Sequence, residues 1–217
     1  MDTGGHAGRA VLLFGDRRAP GPVRGLLTHR VQSPADVDAA AGTYRRLVVV
    51  GTDADLATVL TRLLKADLLN VEVAYVPRRR TPATRAYRLP AGRRAARRAR
   101  RGSARRVPLI RDETGTAIVG AAQWQPPDGA QLLHGEAVVD DVVLFDGGVA
   151  GVRIEPTAAL PGLRARLSGG RSRRWLTGRA AQLGTTGAAV LRDGVPAPRT
   201  MGRSTFYRNT EGWLLVR

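Results

Sequence analysis

The chain has 217 residues with 35 basic and 18 acidic side chains, a formal net charge of +17, and its length buries a sizeable core in one large domain or two small ones. Its 43% hydrophobic and 24% charged residues exclude global disorder, and no apolar run approaches the ~18 residues of a membrane-spanning helix. The N-terminal stretch has neither a basic nor an apolar leader segment, and the absence of cysteine excludes disulfides, thiolate nucleophiles and thiolate metal sites, as expected of a cytoplasmic protein. Residues 9–14 are an apolar run stopped by Gly15-Asp16 and predict a first strand, with a shorter one over 25–31. Ser33 as N-cap and Pro34 at the first helical position open a helix. Residues 46–50, Arg-Leu-Val-Val-Val, end at Gly51 and have the continuous apolar pattern of a strand covered on both faces. Leu56, Val59, Leu60, Leu63 and Leu64 then repeat at helical spacing behind Thr52 or Asp53 as cap. Residues 71–76 read as the next strand, stopped by Pro77. Strand, helix and strand in succession make a βαβ unit and a parallel sheet.

Beyond residue 107 the pattern changes. Apolar runs at 107–111 and 116–119 flank Asp-Glu-Thr-Gly, runs at 138–145 and 149–154 flank Asp146-Gly147-Gly148, and 188–192 precede Asp193-Gly194. Each is a strand broken by an Asp/Gly turn, and no comparable helix follows residue 110. The expected fold class is α/β + β: a parallel α/β domain over 1–107, then an antiparallel β-sandwich-like domain over 108–217.

The charge is local. Residues 78–106 hold 13 arginines and no acid, and so supply +13 of the +17. Within 91–101, Arg93, Arg97 and Arg101 lie four apart, as do Arg94 and Arg98, with Ala91, Ala95 and Ala99 on another stripe. This fits a helix packed by its alanines with arginines in solvent, and equally a polyanion contact. A nucleic-acid surface would use the same segment, but its basic run interleaves only one aromatic residue, Tyr87.

The motifs at 46–64 and 77–90 resemble the bacterial diacylglycerol kinase and lipid kinase family, whose members carry Gly-Gly-Asp-Gly-Thr after one strand. A second strand in that family ends in Pro-Leu-Gly-Thr-Gly-Asn-Asp and leads into a Phe-Ala-Arg-like segment, an alanine-rich helix and a β-sandwich. Here the first motif reads Gly51-Thr52-Asp53-Ala54-Asp55 and the second begins at Pro77, with Thr84-Arg85-Ala86-Tyr87-Arg88-Leu89-Pro90 following. The helix would be 91–101, a charged loop 102–106, and the next strand 107–110. The resemblance covers about 46–111 by pattern and the remainder by architecture, with Arg192-Asp193-Gly194-Val195 where the family often has Val-Asp-Gly-Glu. It implies phosphoryl transfer from ATP to a lipid hydroxyl with Mg²⁺, a nucleotide loop at Gly51, Thr52 and Asp53, and Asp193 as the catalytic base. No protein metal site is expected, since His6, His29 and His134 stand apart.

The departures predict an impaired member. Thr52 and Ala54 replace glycines that let backbone N–H groups approach phosphate, and Asp55 sets a carboxylate where phosphate would sit. Arg78-Arg79-Arg80-Thr81-Pro82-Ala83 replaces the second glycine-rich loop, and Val195 replaces the acidic residue of the last motif. Gly51-Thr52-Asp53 therefore fits a plain strand–helix cap as well as a remnant nucleotide contact. Arg78, Arg79, Arg80, Arg93 and Arg97 are the candidate anion-binding residues, for a phosphorylated ligand or a peripheral contact with an anionic lipid surface. Arginine–aromatic mixtures at 173–179 and 203–208 add cationic surface without an assigned role.

Overall fold

The structure, a computed structural model, describes residues 8–169 and 174–217; His6 and Arg173 lie outside them. The chain divides into two compact units, one holding the residues up to Val107 together with Glu211–Arg217, the other Pro108–Thr210.

The first unit contains strands β1 (Arg9–Phe14), β2 (Leu27–Val31), β3 (Arg46–Val50), β4 (Glu72–Tyr75) and β5 (Ala104–Val107). Its helices are α1 (Pro34–Thr43), α2 (Asp53–Lys65), α3 (Pro82–Ala86) and α4 (Gly92–Arg101). The sheet order is β2-β1-β3-β4, then the C-terminal strand Trp213–Val216, then β5. All are parallel except β5. Every residue of β3 and β4 is buried, as an uninterrupted apolar run in a parallel sheet requires. Two of those buried residues are charged, and they satisfy each other: Arg46 Nε donates to Glu72 Oε2 at 2.6 Å, and Arg46 also donates to the Ala99 carbonyl of α4 at 3.0 Å. One guanidinium thus ties β3, β4 and α4 together.

Two sequence readings are corrected here. Residues 102–106, read as a loop, contain most of β5, where Arg105 and Arg106 pair with Leu215 and Leu214. Backbone pairing rather than apolar periodicity makes this strand, and its exposed arginines suit a sheet edge. Trp213, grouped by sequence with the β-rich half, belongs instead to the first sheet and packs edge-on against Tyr87 with ring centroids 5.3 Å apart.

The second unit is antiparallel, eleven strands among the described residues linked through one long strand, Ala180–Arg192. Its first part pairs with Met201–Arg208 and Leu133–Val139; its last part pairs with Ala122–Gln125. The register breaks between Gly184 and Ala188, and the two halves enclose a core containing Trp124, Leu133, Ile154, Leu183 and Phe206. This is the β-sandwich-like domain that the Asp/Gly-punctuated sequence predicts. One hairpin is placed differently. Leu133–Val139 pairs with Val142–Val149 around Asp140-Asp141, and Gly147-Gly148 lies inside a strand. Asp140 adopts a left-handed φ of 51°, and its carboxylate accepts from the Arg179 and Ala180 amides. Gly148 serves close approach instead, since a Cβ there would meet His134 at 3.0 Å, and Gly147 adopts a φ of 110°.

Candidate functional site

Strand order reverses between β1 and β3, and in open α/β sheets ligands bind beyond the carboxyl ends of the strands at such a point. Here the ends of β1, β3 and β4 open into a recess of about 810 Å³. Val50 and Val76 line it, with Asp16, Arg17 and Arg18 from the turn after β1, Arg78 after β4, and Arg93 from α4. Four guanidinium groups against one carboxylate make it an anion-attracting site.

The loop beneath α2 is built differently from a phosphate cradle. Thr52 caps α2: its hydroxyl accepts from the Asp55 amide at 3.3 Å, and its own amide donates back to Asp55 Oδ2 at 2.7 Å. This reciprocal capping box satisfies amides that would otherwise face a bound anion. The Thr52 hydroxyl also donates to the same carboxylate oxygen at 2.8 Å, and Arg17 stands 3.6 Å from it. A Cβ on Gly51 would lie 2.6 Å from that oxygen. Gly51 is therefore required by Asp55 itself, whose carboxylate covers the loop where a phosphate would approach.

Asp53 is turned inward. Its Oδ1 accepts from the Tyr75 hydroxyl at 2.7 Å and its Oδ2 from the Ala83 amide at 3.0 Å, the second of these at the start of α3. Burial, reinforced by the Asp53 charge, pushes the Tyr75 hydroxyl far above its ordinary value, so it remains a protonated donor. The three loop residues singled out in the sequence thus divide their work. Gly51 makes room, Thr52 caps α2, and Asp53 anchors α3.

The arginine run splits between two places. Arg78 and Arg93 line the sheet-edge recess. Arg80 and Arg97 line a separate one of about 1080 Å³ that shares no lining residue with the first. Arg79 is exposed and lines neither. Asp16, Arg17 and Arg18 were not singled out in the sequence, although Gly15-Asp16 at the end of a predicted parallel strand was the available signal.

Asp193 lies in the second unit, in a left-handed turn with φ 50°. Its carboxylate accepts from the amides of Val119, Gly120 and Ala121 at 2.6–3.0 Å. Val195 is exposed. Of the arginine–aromatic mixtures, Trp175 is flanked by Arg164 and Arg166, with guanidinium carbons 4.2 and 4.7 Å from the ring centroid, and Tyr207 carries Arg111 at 4.6 Å.

No protein-family model matches the chain, and no curated protein matches it in sequence. Solved structures do match. A diacylglycerol kinase from Bacillus anthracis str. Sterne has a TM-score of 0.75 at 10% identity, over 97% of this chain and 96% of that one. An NAD kinase from Archaeoglobus fulgidus, solved in complex with ATP, has a TM-score of 0.66 at 11% identity, over 96% and 93%. A yeast NADH kinase complexed with NADH has a TM-score of 0.59 at 9% identity, over 98% and 84%. The fold is that of the diacylglycerol and NAD kinases. Within this fold, the recess described above lies where strand topology places ligands, and no helix among the described residues is long and apolar enough to cross a membrane.

Proposed function

We propose that this chain is a diacylglycerol-kinase-like protein whose nucleotide loop is closed from within. Phosphoryl transfer from Mg-ATP to a lipid hydroxyl is lost, and the sheet-edge recess retains binding of a phosphate-bearing ligand through arginine side chains. The observation that carries this reading is Asp55. Its carboxylate takes the Thr52 amide, the Thr52 hydroxyl and the neighbourhood of Arg17, the donors an incoming phosphate would need. A nucleotide triphosphate does not fit this loop, because its negative charge would meet a fixed carboxylate above a glycine with no free space. Asp53, held by Tyr75 and Ala83, acts as a structural anchor, and Asp193 as the staple of the 119–121 turn. Arg18, Arg78 and Arg93 are the binding groups, guanidinium being suited to bidentate phosphate contact. No aromatic side chain lines this recess, so base stacking gives the nucleic-acid alternative no support there.

The test pairs two measurements on the full chain. Radiolabelled Mg-ATP is offered with diacylglycerol in vesicles, and no label is expected in the lipid. Inorganic phosphate, raised to about a hundred times its dissociation constant, is expected to stabilise the native state by about 2.7 kcal/mol. Arg78→Gln with Arg93→Gln abolishes that stabilisation. Lipid labelling by the unaltered chain overturns the closed-loop reading, and phosphate stabilisation that persists in the double variant overturns the assignment of the recess.

A further inference from the structure

The larger recess of the first unit is a different surface, and its case does not rest on the kinase reading. Along α4, Arg94, Arg97, Arg98 and Arg101 follow the i, i+3, i+4, i+7 spacing of one helical face, and all four line this recess. Arg80 reaches it from the segment after β4 and Arg88 from the turn after α3. With Arg217, which also lines it, four segments bring seven arginines to one concavity of about 1080 Å³.

Elsewhere the protein matches arginines to carboxylates, as in Arg46–Glu72, Arg62–Asp38, Arg106–Glu211 and Arg192–Asp112. Among the described residues, none of these seven arginine side chains has an ion-pair partner. Between Glu72 and Asp112 the sequence offers no acidic side chain. Four like charges at three- and four-residue spacing destabilise a helix, and arginines in its first turn also oppose its dipole. Ala95, Ala96 and Ala99 are buried on the opposite side of α4, so packing holds the charged face in place.

We propose that this recess binds a small molecule carrying several phosphate groups. The gathering of arginines from separate segments on one recess argues for a compact ligand with several negative charges. The absence of aromatic side chains from the lining argues against single-stranded nucleic acid, which stacks its bases. Forked guanidinium donors from separate segments match several phosphates at once.

Sodium tripolyphosphate is the probe, titrated calorimetrically at low salt and again at 0.5 M NaCl into the full chain carrying Arg78→Gln and Arg93→Gln, which removes the contribution of the sheet-edge recess. Saturable one-to-one binding that weakens at the higher salt is expected. Arg94→Gln with Arg98→Gln weakens it at least tenfold, and so does Arg80→Gln with Arg88→Gln, which leaves the helix unaltered if the first pair fails to fold. Arg199→Gln with Arg203→Gln, an equal loss of charge on the other unit, leaves binding unchanged. Absence of saturable binding overturns the proposal, as does equal weakening by all three pairs. Anionic vesicles or RNA that bind through the same arginines and are not displaced by tripolyphosphate also overturn it, in favour of a membrane or nucleic-acid surface.

Discussion

Glu155 illustrates what a single carboxylate decides in a chain with so many cations. Burial acts to raise its carboxyl, but hydrogen bonds and charge from Arg153 and Arg164 outweigh burial and hold it below the usual carboxylate range. A depressed folded-state value means that the stabilisation is fully present above the unfolded value and is lost as pH falls through the folded one. Glu155→Gln is therefore expected to cost about 1 kcal/mol at neutral pH, a modest figure because Arg164 is partly exposed. The difference from the unaltered chain should shrink as pH falls below about 4.5. Denaturant melts at pH 7 and pH 3 check this, and an equal cost at both would refute it. At this scale the sequence was most legible where chemistry is local. The reading of Asp55 as a carboxylate in a phosphate position rests on its place in the motif alone. That Asp53 turns toward Tyr75 and Ala83 could not, because those partners lie 22 and 30 residues away.

At the scale of elements, α2 and its cap form one device. Gly51 has no room for a side chain because Asp55 folds back over it, and Asp55 folds back because the Thr52 amide and hydroxyl hold it. Gly51→Ala is expected to destabilise the chain by about 1–3 kcal/mol through overpacking. In an Asp55→Ala background the same change should cost less by about 1 kcal/mol or more, since contacting sites do not behave additively. A double-mutant cycle by chemical denaturation measures the coupling, and additive costs would show that Asp55 does not occupy that space. Helices α2 and α4 were readable because periodicity and capping are short-range signals. The Ala stripe of α4 was visible, yet which arginines share a recess depended on how α4 turns its faces. Arg93 and Arg97 lie one turn apart on neighbouring positions of the helix surface, yet they line different recesses. The hairpin around Asp140 was misplaced because Asp-Gly-Gly at 146–148 is a stronger turn signal than Asp-Asp, and only the cross-strand contacts with Arg179 and Ala180 reverse that preference.

At the scale of the molecule, the parallel α/β character and the β-rich remainder were both evident from patterning. Strand order was not, because pairing between residues a hundred positions apart leaves no local trace. The C-terminal strand is the case in point, since it pairs with β4 on one side and β5 on the other. Trp213 and Leu215 in it are fully buried. A chain ending at residue 210 is expected to lose the first unit's cooperative transition, as several kcal/mol of apolar burial and the only link between β4 and β5 disappear together. Limited proteolysis reads this directly: cleavage should move into residues 8–107. A first unit as protease-resistant as in the full chain would refute it.

That same strand has a consequence for how the molecule comes into being. On the ribosome the first unit is made almost entirely before the second, yet its sheet lacks an inner strand until residues 213–216 are translated. β5 therefore waits without a neighbour while about a hundred residues of β-rich chain emerge and fold. Synthesis order and assembly order run opposite to each other here, so the unit begun first is completed after the one begun second.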